Sequence, residues 1–409
     1  MRAASGGGDP NRAEAALAPP LGNPRFPLVD SMRAIAVIAI FLFHALDSKW
    51  TARLNVGVPL FFVISAFLLY RPFVAARYQD KPRIRTRDFL QRRVLRIVPA
   101  YWVAVLVILA SIGAPAYAID GYDKLGMYLL LVQNYRPETV LLLIPGAWSL
   151  CVEASFYLAL PAYAAAAASW ASGPRGFRRE LWLLVAIAIL SVTYRDILFA
   201  TSGDTVFAWA TLPATALWFA LGMGAAVISV ASEVDRRRSW VKRHILHASP
   251  ALWWVLALAL FVPLNLPFRA GGIFDPTHAG SPDIPLDSVR YLLFGLVAVC
   301  FFWPAVAGSR GRSRIVSFLG WRPLMWLGLV SYGVFLWHER VLDFFATRSP
   351  STFFQVVFAA VVVIGVAAVS YYVIERPFLR RKRGISRRAP RAEPGSTTEA
   401  RRQTAQAGA

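Results

Sequence analysis

The stretch RAIAVIAIFLFHA, residues 33–45, sets ten consecutive apolar side chains between an arginine and a histidine. A helix built from such a run has no polar face to turn toward water, so its natural surroundings are hydrocarbon. Arg33 and His44 are eleven positions apart. At about 100° per residue this is three turns plus ~20°, which puts both side chains on one helix face, separated by ~16 Å of rise. An arginine at the end of a span reaches headgroups along its aliphatic stem. A histidine near mid-bilayer has no such escape and must face other helices or a water-filled cavity.

The rest of the chain repeats the pattern. Of 409 residues, 57% are hydrophobic and 16% charged, against about 25% charged in ordinary soluble domains. Ten long apolar blocks stand out, at 32–49, 55–72, 98–116, 147–168, 181–199, 206–230, 250–266, 287–307, 325–346 and 354–374. Each approaches the ~20 residues needed to cross a ~30 Å hydrocarbon core. A shorter piece, Tyr128–Val132, is expected at the interface. The fold class is therefore an all-α polytopic membrane protein with about ten transmembrane helices.

Charge orients it. With the N-terminus inside, the six inner segments hold 35 of the 44 Lys and Arg residues, and the outer loops hold nine. That bias is expected of an N-in, C-in protein. It also accounts for the net charge of +21 without nucleic acid, for which no aromatic-interleaved basic module is present. Residues 1–28 read as a flexible cytoplasmic arm without a signal-peptide core. Residues 29–379 form the membrane domain. Residues 380–409, opening with RRKRGISRRAPR, read as a basic disordered tail suited to anionic lipid. Cys151 and Cys300 both fall in spans, and neither a disulfide framework nor a metal-ligand spacing is available.

Further polar residues gather in the spans. FFVISAFLL (61–69) carries Ser65. QRRVLRIVPAYW (91–102) carries Arg92, Arg93 and Arg96, with Pro99 read as lying near a helix start. Arg93 and Arg96 are helical neighbours able to grip one anion, or simply inner-loop charge. AWSLCVEASFYLALP (147–161) puts Glu153 about one turn inside the outer end of its span, with Ser149 nearby; the carboxylate is functional or interfacial. SYGVFLWHER (331–340) offers Tyr332 and His338, the histidine equally readable as an interface residue beside Trp337. Glu375 and Arg376, in VIERPFLRR (373–381), read as an ion pair closing the last span.

Seven segments, in order, resemble the integral-membrane acyltransferase 3 family: VDSMRAIAVIAIFLFH (29–44), VGVPLFFVISAFLL (56–69), RRVLRIVPAYW (92–102), WSLCVEASFYLALP (148–161), LPATALWFALGM (212–223), FLGWRPLMWLGLVSYGVFLWH (318–338) and ERPF (375–378). One departure is Ala66, where the family usually has glycine. The resemblance is to the stand-alone membrane form, without the extracytoplasmic hydrolase-like domain some members carry.

The resemblance implies transfer of an acyl group, commonly acetyl, from cytoplasmic acyl-coenzyme A to a hydroxyl on a carbohydrate, lipid-linked or small-molecule acceptor. Acyl-coenzyme A would be a donor substrate, with no permanently bound cofactor and no metal. Carried onto these residues, His44 is expected to be the general base, with Glu153 and Arg33 in the catalytic set. Arg92, Arg93 and Arg96 are expected to bind the coenzyme A phosphates. Ser149, Tyr332 and His338 are candidate substrate contacts. Cys151 is expected to be packing rather than a nucleophile. The expected location is a cell membrane, multi-pass. A transporter or flippase of an acyl donor or lipid-linked sugar is the rival reading, although the segment around Arg33 and His44 has no counterpart in the second half of the chain.

Overall fold

The computed structural model describes residues 26–46, 51–79, 81–112, 122–171, 173, 175–201, 208–234, 248–265, 284–307, 313–346 and 353–380. Most of the expected N-terminal arm, and the tail from Arg381 onward, lie outside them. Twelve helices run through the described residues, without a β-strand. They are α1 (Val29–Ala45), α2 (Gly57–Tyr78), α3 (Thr86–Ile112), α4 (Tyr122–Leu129), α5 (Ala147–Trp170), α6 (Gly176–Thr201), α7 (Leu212–Val234), α8 (Pro250–Asn265), α9 (Ile284–Ala307), α10 (Arg314–Leu319), α11 (Arg322–Ala346) and α12 (Phe353–Ser370).

A helix occupies each of the ten apolar blocks. Seven are long and apolar enough to cross a membrane by length and composition; α1, α8 and α11 fall short of that standard. Leu106, Trp182, Leu190, Leu252, Phe354 and Val373 each leave more than half of their surface uncovered. In water so much bare apolar surface would drive association, whereas lipid tails cover it at no cost.

The centre of the bundle is α2, packed on α1, α7 and α9. α11 lies against α1 on one side and α12 on the other, while α6 backs α7 and α8 backs α9. Close approach depends on small residues. A Cβ on Gly222 of α7 would lie 2.8 Å from the Cβ of Ala66 on α2, so the methyl that departs from the family pattern is received by a glycine opposite. A Cβ on Gly328 of α11 would overlap the carbonyl of Asp30 on α1. Ser31 of α1 also donates its hydroxyl hydrogen to the Leu319 carbonyl at the end of α10.

Three sequence expectations shift. The short helix in this region is α4, which ends at Leu129 rather than running through Tyr128–Val132; Leu131, with φ 59°, turns the chain away. Pro99 is not near a helix start. The basic segment from Thr86 continues the same helix inward, so the proline sits inside α3 and leaves the carbonyl four residues earlier without its amide partner. Glu375 does not close α12 by pairing with Arg376. A π-helical turn over Tyr371–Glu375 swings that carboxylate into the protein, where it is buried and feels the charges of Arg96 and Arg33. Arg376 instead stacks over the Tyr372 ring, 5.5 Å from its centroid. Turns of this kind recur where a helix must re-aim a functional side chain.

Candidate active site

One cavity opens among five helices. Arg33 and Ile40 reach it from α1, Ser65 and Phe61 from α2, Arg93 and Arg96 from α3, Ser149, Glu153 and Tyr157 from α5, and Ser331, Tyr332 and Phe335 from α11. Six of the nine expected site residues thus line one space, although their positions span some 300 residues of sequence. Its volume is about 90 Å³.

The polar groups are knitted together. Tyr157 donates to Glu153 Oε2 at 2.9 Å, an i, i+4 pair on α5. Tyr332 donates to the Ile97 carbonyl at 2.9 Å, holding α11 against α3 beside Pro99. Ser149 donates to Gly146 O at 3.0 Å. Arg33 lies 3.9 Å from Asp30. Arg93 leans on the Phe89 ring at 5.8 Å, and its buried Nε has no hydrogen-bond partner. Ser331 Oγ is likewise buried without one. Buried donors without a protein partner suit a site that receives a polar ligand. Arg92 is half-buried and stands outside the cavity lining.

His44 and His338 lie one turn beyond that lining, past Ile40 and Phe335, and meet a residue the sequence reading left out. Glu339 brings Oε1 to 3.5 Å from His44 Nε2. Its other oxygen accepts the Gly146 N–H at 2.8 Å, at the start of α5. The next residue, Arg340, donates through Nε to the Leu143 carbonyl at 3.0 Å. Leu143 has the left-handed φ of 57°, a strained conformation for a leucine that this arginine helps hold. Glu339 and Arg340 therefore clasp the loop leading into the helix that carries Ser149 and Glu153.

Hydrogen bonding sets the direction of the two rings. His338 is 1% exposed, and its Nδ1 lies 2.8 Å from the Phe335 carbonyl. That nitrogen must be the N–H, so a neutral ring has a lone pair at Nε2. This Nε2 is 3.2 Å from His44 Nδ1, which also lies 3.0 Å from the Ile40 carbonyl. Two acceptors thus face His44 Nδ1 and place a hydrogen there, while Nε2 faces the Glu339 carboxylate. With its side chain 32% exposed, His44 is reachable, while both nitrogens of His338 are engaged within the protein.

Besides Glu339, the sequence reading did not select Tyr157, Ser331 or Glu375. Tyr157 was signalled by its i+4 spacing from Glu153, and Glu339 by sitting beside His338. Glu375 gave no such signal, because its inward turn arises from the π-helical geometry. Cys151 and Cys300 are buried free thiols outside the cavity.

Comparison with known proteins identifies the family. Residues 27–375 match the acyltransferase 3 family, described as an acyltransferase domain. The chain belongs to the acyltransferase 3 family. It is 24% identical over 333 residues to the peptidoglycan O-acetyltransferase OatA of Listeria monocytogenes, covering 77% of this chain and 49% of that protein. It is 25% identical over 376 residues to the putative peptidoglycan O-acetyltransferase YrhL of Bacillus subtilis, covering 86% of this chain and 54% of the other. A putative O-acetyltransferase of Staphylococcus aureus is 22% identical over 376 residues, covering 88% and 58%. The chain spans about half the length of these curated relatives. No solved structure matches it. Family membership and the long apolar helices make this acyltransferase 3 protein a multi-pass membrane protein.

Proposed function

We propose that the chain is an O-acyltransferase of the bacterial plasma membrane. It moves an acetyl group from cytoplasmic acetyl-coenzyme A to a hydroxyl of a sugar-containing cell-envelope acceptor. The observation that carries this reading is the single cavity that gathers Arg33, Arg93, Arg96, Glu153 and Tyr157, with the His44 cluster one turn beyond it. The names of the relatives support the acetyl group and the envelope acceptor.

The donor is a polyanion on one side of the bilayer, and its acyl group must travel inward. Arg93 and Arg96, assisted by Arg92 at the rim, hold the coenzyme A phosphates through charge-assisted hydrogen bonds. The pantetheine arm then lies along the cavity, where Ser331 is available to its amides. Ile40 and Phe335 lie between this lining and the histidines, so the arm passes them to bring its thioester to His44.

His44 Nε2 takes the proton of the acceptor hydroxyl as that oxygen attacks the thioester carbonyl carbon. The tetrahedral intermediate collapses with cleavage of the carbon–sulfur bond. The leaving thiolate recovers the proton from His44, giving an ester and coenzyme A. During the step the imidazolium faces the Glu339 carboxylate, a fixed charge where positive charge develops. His338 acts as a positioning residue that keeps the lone pair of His44 on Nε2, and this replaces the acceptor contact expected from sequence.

The test against the transporter reading is turnover without a compartment. Protein in nanodiscs, given acetyl-coenzyme A and a cell-envelope extract, is expected to release free coenzyme A and label the extract. Absence of turnover in nanodiscs, together with uptake in sealed vesicles, overturns the enzymatic reading.

A further inference from the structure

A second space lies on the side of α1 turned away from the histidines. It is a groove of about 480 Å³ walled by α1, α2, α8 and α9, with Ile35, Ala39, Leu60, Trp254, Phe261 and Phe301 among its lining residues, and every described residue that lines it is apolar. The volume is that of a ligand site, for which ~300–1,000 Å³ is usual. From Ala251 to Phe261 its wall on α8 rises ~15 Å, about half of a ~30 Å hydrocarbon core.

One end of this groove is charged. Leu54 lines the groove, and its neighbour Arg53 lines a small adjoining cavity together with Arg290 and Phe294; Phe294 lies one turn of α9 from the groove residue Val297. Arg53 donates through Nε to the Leu264 carbonyl at 2.9 Å, which fixes its guanidinium at this rim. Burial, and after it the charge of Arg290, push the Arg53 guanidinium below its ordinary range. Asp287, the acid among the described residues of the small cavity, pairs with Arg195 and also feels the charge of Arg290. With Arg195 and Asp287 matched in charge, Arg53 and Arg290 leave an excess of positive charge at the Leu54 end of an apolar groove, and its complement is a molecule with an anionic head and an apolar chain.

We propose that this groove is a binding site for one anionic phospholipid, its acyl chain laid between α1, α8 and α9 and its phosphate held by Arg53 and Arg290. The proposal does not depend on the acyltransferase reading. Its consequence is mechanical: the chain supports the back of the helix whose other face presents Arg33 and His44. Ala39 is ~240° around α1 from Arg33, so occupancy braces the site without entering it.

The experiment is lipid binding to the full chain in detergent, read by native mass spectrometry during titration with phosphatidylglycerol or diacylglycerol. One phosphatidylglycerol is expected to bind, diacylglycerol at least tenfold more weakly, and excess inorganic phosphate is expected not to displace the lipid. Arg53→Gln with Arg290→Gln should weaken phosphatidylglycerol about tenfold, and Ala39→Trp should block it by filling the slot. Equal binding of the two lipids, unchanged binding in the double arginine variant, or displacement by phosphate alone overturns the proposal. If Ala39→Trp does not fold, the arginine variant decides.

Discussion

The two ring nitrogens of His44 face different partners, and this makes the imidazole directional. Nδ1 is shared between the Ile40 carbonyl and His338, while Nε2 lies opposite Glu339. Glu339→Gln keeps an oxygen for the Gly146 amide and removes the charge. It is expected to lower kcat about 100-fold with the donor KM unchanged. Glu339→Ala also strands the half-buried Gly146 N–H and should cost about 1 kcal/mol of stability, read from thermal unfolding. Parallel losses of activity and stability in both variants would reduce Glu339 to a clasp. On the donor side, Arg93→Ala and Arg96→Ala should each raise the KM for acetyl-coenzyme A about tenfold, as loss of a charge-assisted hydrogen bond implies, with unaltered thermal stability. Unchanged KM assigns those arginines to topology. Arg33 and His44 stood out in sequence because hydrocarbon penalises any ionisable group, so each needed a reason to be there. Glu339 and Glu375 lie near span ends, where a charge needs no special reason; only the position beside His338 pointed to Glu339, and nothing pointed to Glu375, which the π-helical turn directs inward.

Helix packing sets the distance across which these side chains meet. α1 and α11 touch where Gly328 lies against the Asp30 backbone, and a Cβ there has no room. Gly328→Ala is expected to push the helices apart, costing about 1–3 kcal/mol and separating His44 from His338, so activity should fall more than stability alone explains. A variant with wild-type unfolding and wild-type activity would show that the contact tolerates the extra methyl. The ten apolar blocks were legible because a span must be apolar on nearly every side, a signal that survives without tertiary information. Helix ends were less so. The basic stretch before Pro99 is helical because nothing between Thr86 and Ile97 breaks it, and charge composition alone separated it from the span it continues. The π-helical turn at Tyr371–Glu375 has no composition of its own.

Across the whole molecule, buried ion pairs tie the outer helices to the core. Arg195 of α6 pairs with Asp287 of α9 while stacking over Tyr291, 4.4 Å from its centroid. Arg77 of α2 donates to Glu180 of α6 at 3.0 Å and to Tyr70 at 2.9 Å. Removing one partner leaves a charge without its counterion, so Glu180→Ala should destabilise by about 3–5 kcal/mol while leaving the cavity residues in place. A small shift in the unfolding midpoint would mean that water replaces the carboxylate. The uneven distribution of Lys and Arg between the apolar blocks was readable from sequence because it depends on counts alone. The convergence of α1, α2, α3, α5 and α11 on one cavity was not, since it depends on which helix faces which. The central claim is that an acetyl group delivered from the cytoplasmic side passes to an acceptor through His44. The direct measurement supplies labelled acetyl-coenzyme A to the cytoplasmic face of vesicles of known sidedness, carrying an envelope acceptor and either wild type or His44→Ala, matched for amount and thermal stability. Labelled acceptor is expected with the wild type and a loss of about 10²–10⁴-fold with the variant; equal labelling by the two proteins would contradict the account.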